Sequence, residues 1–552
     1  MAKKIRKNGF VEGAVISYAA IVITKLLGAF YNIPFYSIIG ERGSIIYSFA
    51  YSIYTLFLDI STSGIPIAIS IVLSEYAAKE MYKSKERAYT LGWRVVFAIS
   101  IIACAFLVIF APQVAGYYIG DMTDGVTVEE VAPAIRSIAF CLLVVPFLSM
   151  RRGYLQGHKC IAVSSTSQVV EQLVRILVVL VGAYVTIHVL DLGVTNGVCV
   201  ALFGAFLGAL LAFIYLKSKE KNSRELFYLD APAEAEPDKD SIILKKLLTY
   251  CSVITIVAIA AGVYNLVDMK LLLVGLDKLN YSDEDAQLIA GLASTWIPKI
   301  CMIVMALAMG LTNSIAPHVA ESYASGNLKR VNHNMNQAIS TIFAVAIPIA
   351  CGMAIFARPV FNIFYGESAF GPNMLRFSLM LNVVASAVSV VSMGMQSMNM
   401  GKIVCLTTIL GIVVNAVCDL PLIFLFDYLG LPAYLGATTS SIFAECITLV
   451  ALLIFLKRKL DFHYTPSIKV LVKTVYTVAI MAAVVISLCY AMPLKDGIVM
   501  YIQVAVYGGV GALIFLLISI KNSLLKDVLG EDMIERIMGK IKAVLRKFKL
   551  VK

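Results

Sequence analysis

Charge is scarce in this chain. Asp, Glu, Lys and Arg make up 15% of it against 60% hydrophobic residues, and the mean hydropathy is +0.85. That balance excludes a soluble globular protein, in which about a quarter of residues are charged. Period-two alternation is also missing, which sets aside a membrane barrel, since only helices and closed barrels satisfy their backbone in lipid. The eleven cysteines are scattered, mostly within apolar runs, with no C-x-x-C and no pair in an outward connection. They read as small buried residues, not as disulfides or metal ligands. None of the five histidines falls in a metal-ligand spacing. The outward connections are short and hold no general-base cluster or nucleophile motif, so an enzyme is not expected.

What the chain has instead is long apolar runs. Fourteen are read, at 11–39, 44–78, 91–118, 132–150, 162–188, 193–216, 247–276, 286–317, 336–357, 374–397, 403–427, 433–456, 470–491 and 498–520. Runs of about 20 residues suffice to cross a ~30 Å hydrocarbon core as helices. The expected class is an all-α polytopic membrane protein with fourteen transmembrane helices. The first run starts basic like a signal peptide, but it is too long, carries Lys25 and lacks a cleavage site, so it is expected to stay as a helix.

A net charge of +11 raises the question of nucleic acid, and the placement of the charge answers it. Most of the 46 Lys and Arg lie in the tails and even-numbered connections. Arg42, Lys278, Arg358, Arg376 and Lys495 lie on the other side, and Lys25, Arg136, Arg175, Lys270 and Lys299 lie within or near spans. This is the positive-inside pattern. It predicts both termini in the cytoplasm, a bilayer as the partner, and no nucleic acid.

Residues 217–241 are charged and rich in Pro and Ala, a polar linker after the sixth span. Beyond it the pattern partly recurs: GMQSMNMGK precedes a polar-striped span 11, as GYLQGHK precedes span 5. The expected organisation is two pseudo-symmetric six-helix lobes, 1–216 and 242–460, of the kind that encloses a central site. Two additional helices fill 461–522, and 523–552 forms a basic amphipathic cytoplasmic tail.

Charges inside spans carry the most information, because each costs ~2.5–3.5 kcal/mol at mid-membrane and normally faces a cavity or a partner. Lys25 and Lys299, from spans 1 and 8, are candidates to bind an anionic headgroup such as a diphosphate. Asn32 shares a stripe with Lys25, and Asp59 is an available structural partner. Glu171 and Arg175, one turn apart in span 5, can pair with each other and still line the cavity. Asp268 and Asp419 lie at matched depth, roughly 12 Å below the outer ends of spans 7 and 11 at ~1.5 Å per residue. With Asn415, Thr438 and Thr439 they form an oxygen-rich, net-negative set suited to Na⁺ or a proton. The bland alternative is interhelical hydrogen bonding with Asp268 neutralised by Lys270. Arg151 and Arg152 mark a cytoplasmic entrance; they satisfy the charge rule, or they meet incoming lipid phosphates.

SMRRGYLQG followed by SQVVEQLVRI, together with KLLGAFYNIPFYSIIG and SGIPIAISIVLSEY, resembles the stage V sporulation protein B and MurJ-type flippase group. That group belongs to the multidrug/oligosaccharidyl-lipid/polysaccharide exporter superfamily. The resemblance covers nearly the whole chain and implies two lobes that move by alternating access, with spans 13 and 14 offering a groove to a lipid tail. The implied substrate is an undecaprenyl-diphosphate-linked cell-wall precursor, lipid II or a related polysaccharide, moved from inner to outer leaflet. Lys25 and Lys299 match the group's cationic cavity, and Asp268, Asn415 and Asp419 match its sodium-using members. No cofactor is implied beyond Na⁺ or H⁺ coupling. A monomer, with wall-synthesis proteins as partners, is the expected form. Where Gram-negative members place further arginines, this chain has Tyr31 and Phe57. The competing reading is a cation-coupled multidrug antiporter of the same superfamily, whose organic-cation site two central lysines would oppose.

Overall fold

The computed structural model describes residues 20, 23–24, 27–28, 30–62, 68–69, 72–73, 75–76, 80–120, 125–158, 160–221, 238–495 and 497–529. Lys25 lies outside the described residues, as does the side chain of Asp59. Among the described residues the chain is helical and holds no strand. Eleven helices there are long and apolar enough to cross a membrane, and they correspond to spans 3–6 and 8–14. Span 7 is a single 39-residue helix, Asp240–Lys278, while spans 1 and 2 run partly through residues outside the description.

In chain order the elements that matter are α1 (Asn32–Thr62), α2 (Tyr82–Ile109), α3 (Val145–Gly157), α4 (Ile161–Leu177), α5 (Val194–Lys221), α6 (Asp240–Lys278), α7 (Asp283–Gly291), α8 (Ile297–Ala324), α9 (Gly401–Tyr428) and α10 (Leu435–Leu460). α1 is two helices joined at Gly40, whose φ of 63° reverses the chain. Only glycine adopts that conformation without cost, so spans 1 and 2 meet there with almost no connecting loop. The stretches Val178–Gly182, Val185–Val189 and Leu292–Trp296 are π-helical. Such wide turns shift the side chains that follow onto a new face.

The chain forms two compact units. The first comprises Met1–Ile303, Phe364–Gly366 and Thr408–Ala444, and the second Val304–Ile363, Glu367–Thr407 and Glu445–Lys552. Every residue of the candidate functional site described next belongs to the first. Within it α5 lies against α4 through small residues, the usual device for close helix approach in lipid. At Gly208 a Cβ would stand 2.7 Å from the Glu171 carbonyl oxygen and 3.3 Å from Arg175 Cβ, so the two backbones meet where the charged turn sits. The cytoplasmic end of the unit is tied by polar contacts. Arg87 donates two hydrogen bonds to Asp240, at 2.7 and 2.6 Å, and Tyr76 donates to Asp238 at 2.9 Å.

Candidate functional site: two buried cations and a carboxylate pair

Lys299 follows the π-turn Leu292–Trp296 and Pro298, whose missing N–H leaves a carbonyl of the preceding turn without its helical donor. Its side chain is 6% exposed. The ammonium donates to Asn32 Oδ1 at 3.0 Å. It lies 4.1 Å from the ring centroid of Trp296, 4.6 Å from Tyr47 and 5.5 Å from Tyr51. Each such contact is worth about 0.5–2 kcal/mol away from water, which together offsets the ~2.5–3.5 kcal/mol cost of a cation at this depth. Among the described residues no carboxylate pairs with it. Asn32 is fully buried and donates from Nδ2 to the Gly28 carbonyl at 2.6 Å, which fixes its oxygen toward the lysine. Two residues proposed from sequence are thus in contact.

The second cationic group lies on α3 and α4. Glu171 accepts from Arg175 at 2.6 Å and from Arg152 at 2.9 Å, one guanidinium on each carboxylate oxygen. Arg152 also donates to Ser167 Oγ at 2.8 Å. One carboxylate between two arginines leaves a net positive charge, and Arg175 Nε is buried with no hydrogen-bond partner among the described residues. Arg151 points elsewhere, to Glu220 at 2.5 Å and the Tyr89 hydroxyl at 3.3 Å. Both arginines of the expected entrance therefore already hold acids.

Tyrosines join the two cations. Tyr47, Tyr51 and Tyr54 stand one turn apart along α1, and the rings of Tyr47 and Tyr51 stack with centroids 5.4 Å apart. Tyr31 and Tyr47 are within hydrogen-bonding reach, and Arg175 is near enough to act electrostatically on Tyr31, Tyr47 and Tyr54. Sequence reading missed this group. Its signal was the i, i+4, i+7 spacing in span 2, which marks one helix face.

The third site joins α6, α9 and α10. Asp268 Oδ2 accepts from Ser441 Oγ at 3.0 Å, and Asn415 Nδ2 donates to Asp419 Oδ1 at 3.1 Å and to Ser441 Oγ at 3.3 Å. Ser440 Oγ donates to the Asn415 carbonyl at 3.1 Å. The carboxylates of Asp268 and Asp419 are within hydrogen-bonding reach of one another. Asp268 Oδ1, Asn415 Oδ1 and Asp419 Oδ2 are buried with no donor among the described residues. Buried polar atoms rarely go unpaired, and three convergent oxygens fit a hard cation or a shared proton. Ser440 and Ser441 supply the span 12 hydroxyls here. Thr439 Oγ1 is instead taken by the Leu435 carbonyl of its own helix at 2.8 Å, and Thr438, though buried, makes none of these contacts. Lys270 donates to the Tyr117 carbonyl and lies 5.1 Å from its ring, so it does not neutralise Asp268.

This arrangement of helices and intramembrane charges is that of a membrane carrier. The polysaccharide biosynthesis protein family matches residues 10–276, and the MatE family matches 285–420. The chain is thus similar in sequence to the MurJ and stage V sporulation protein B relatives and has the fold of transporters of the MOP superfamily. It is 28% identical over 485 residues to the lipid II flippase MurJ of Bacillus subtilis (strain 168), with 86% of each chain covered. It is 27% identical over 210 residues to the stage V sporulation protein B of the same organism, covering 38% of this chain and 39% of the relative. Two solved structures share the fold. The inward closed conformation of a lipid II flippase MurJ has a TM-score of 0.65 at 15% identity, covering 93% of this chain and 99% of that one. An inward-facing multidrug resistance MATE family transporter has a TM-score of 0.66 at 13% identity, covering 81% and 99%.

Proposed function

We propose that the chain is a flippase that carries a lipid-linked, diphosphate-bearing cell-wall precursor, lipid II or a related polysaccharide lipid, from the inner to the outer leaflet. The observation that carries this reading is Lys299, a buried ammonium held by an amide oxygen and three aromatic rings with no acid among the described residues. A phosphate oxygen can replace Asn32 Oδ1 as its acceptor and supply the missing negative charge. Arg175 and Arg152 add a second positive pole at the far end of the tyrosine group. Lys25, Asn32 and Asp59 complete the proposed substrate set.

Several further features belong to the same proposal. Both termini face the cytoplasm, and residues 1–216 and 242–460 act as two six-helix lobes that alternate access around the site. The chain works as a monomer, near wall-synthesis proteins. Asp268, Asn415 and Asp419 couple transport to Na⁺ or H⁺ by filling the three orphan oxygens. No enzymatic step is needed.

The test is a leaflet-accessibility assay for lipid II after depletion of the endogenous protein. Lys299→Ala should reduce translocation at least tenfold, a loss of ~1.4 kcal/mol of differential stabilisation, while Lys299→Arg retains part of it. Full translocation by the alanine variant, with normal insertion, would sink the assignment. The match of 285–420 to the MatE family favours the antiporter as second reading. A buried cation without an acid opposes an organic cation at that site, and a drug-export assay separates the two.

A further inference from the structure

The second unit holds a cavity of about 980 Å³, a volume typical of a small-molecule site. It lies at the N-terminal ends of two membrane-length helices, Leu328–Ile355 of span 9 and Thr465–Ala491 of span 13. Residues from the connection 461–464 and the short helix Leu524–Leu529 also line it. Asn336 ties these parts together. It is buried, accepts from Ser467 Oγ at 2.6 Å, and donates from Nδ2 to the His463 carbonyl at 2.9 Å. The start of span 13 is thereby fixed two turns along span 9.

The charge of the cavity suits an anion. Lys329, Lys469, His333 and His463 line it. Of its two acids, Asp527 is held by Lys473 at 2.6 Å and by Lys469 at 3.9 Å, which leaves Asp461. With Lys329, three lysines face two acids. Span 13 begins with no side-chain cap, and the positive ends of both helix dipoles lie at the cavity. Deeper in, the wall is neutral but still polar. Lys329, Asn332, Asn336, Gln337 and Ser340 share one face of span 9 over about 16 Å, at ~1.5 Å per residue. Amides and a hydroxyl at that depth match hydroxyls of a ligand better than an acyl chain. An ammonium headgroup would meet lysines here, whereas basic pockets between spans at a membrane surface take phosphate headgroups.

We propose that this cavity binds the headgroup of an anionic glycerophospholipid, with its phosphate at Lys329 and Lys469 and its glycerol hydroxyls at Asn332 and Gln337. The site is separate from the Lys299 and Glu171 groups, which belong to the first unit, and it does not rest on the flippase reading.

The test is native mass spectrometry of the purified full chain, titrated in detergent with phosphatidylglycerol, phosphatidic acid or phosphatidylcholine. One phosphatidylglycerol should bind about tenfold tighter than phosphatidylcholine, or more, and Lys329→Ala should remove most of that preference. Arg330→Ala removes a neighbouring exposed charge outside the cavity and should leave the preference unchanged. Gln337→Leu should weaken phosphatidylglycerol by about threefold or more, while phosphatidic acid, which lacks the glycerol, keeps its affinity. All three side chains are exposed, so the fold should survive each change. No preference over phosphatidylcholine, or equal losses from Lys329→Ala and Arg330→Ala, overturns the proposal; an unaffected Gln337→Leu overturns the glycerol contact. Added glycerol phosphate separates the sources. Displacement of the lipid only in large excess supports a lipid ligand, whereas displacement at equal concentration makes a soluble phosphate the ligand and overturns the lipid.

Discussion

At the scale of single residues, the cation candidates sort by which hydroxyl points where. Ser441 touches both Asp268 and Asn415, whereas Thr439 is spent on its own helix. If Na⁺ is the coupling ion of the proposed function, Ser441→Ala should raise its half-saturating concentration for transport at least tenfold (~1.4 kcal/mol). Thr439→Ala should leave it near the parent value. Equal effects from the two variants would show that the geometry at α10 does not govern coupling. Asp268, Asn415 and Asp419 were legible because an acid or amide stands out within an apolar run. The choice among Thr438, Thr439, Ser440 and Ser441 was not legible, since each residue rotates the side chain by ~100° and span boundaries are known only to a few residues. The pairing of Arg152 with Glu171 was not legible either. In sequence Arg152 is a charge in a basic turn, and its reach to Glu171 depends on α4 folding back along α3.

At the scale of elements, packing between helices depends on where side chains are absent. Gly208 lets α5 approach α4 at the turn that carries Glu171 and Arg175. Gly208→Val would drive side-chain atoms into the Glu171 carbonyl, and overpacking of this kind costs about 1–3 kcal/mol. The expected result is a lower thermal midpoint in detergent together with reduced translocation. A variant with unchanged midpoint would mean that the helices part there without cost. The span pattern itself was open to sequence reading, because runs of apolar residues of membrane length leave few alternatives. The π-turn ahead of Lys299 was not, since nothing local in LASTW distinguishes it from an ordinary helical turn. The tyrosine face of α1 was also passed over, because tyrosines in a span read as ordinary amphipathic filling.

At the scale of the whole molecule, the distribution of basic residues predicts an orientation that labelling can test. Asp191, between spans 5 and 6, and Asp461, after span 12, are exposed and lie in connections of opposite parity. In intact cells an impermeant maleimide should label Asp191→Cys and spare Asp461→Cys, with the reverse in inverted vesicles. Labelling of both from one side would break the alternation from which the outward and inward faces were deduced. The native cysteines are all buried or half-buried, which keeps the background low. The all-helical class was readable from composition, and the likeness to the MurJ and stage V sporulation protein B relatives from the RGY-x-QG and EQ-x-x-R stretches. The compact units were not: their borders fall inside α8, α9 and α10, and a break within a continuous helix leaves no mark in composition.

The Glu171 triad bears on how such a carrier lets go of its cargo. Both oxygens of Glu171 are occupied by guanidinium groups. Under the proposed function an arriving phosphate would therefore compete with a resident anion for them. That resident ligand is tethered, so it would return as the visitor loosens, without stranding either arginine. A built-in rival of this sort would keep occupancy shallow, trading tightness of hold for speed of turnover on each passage through the bilayer.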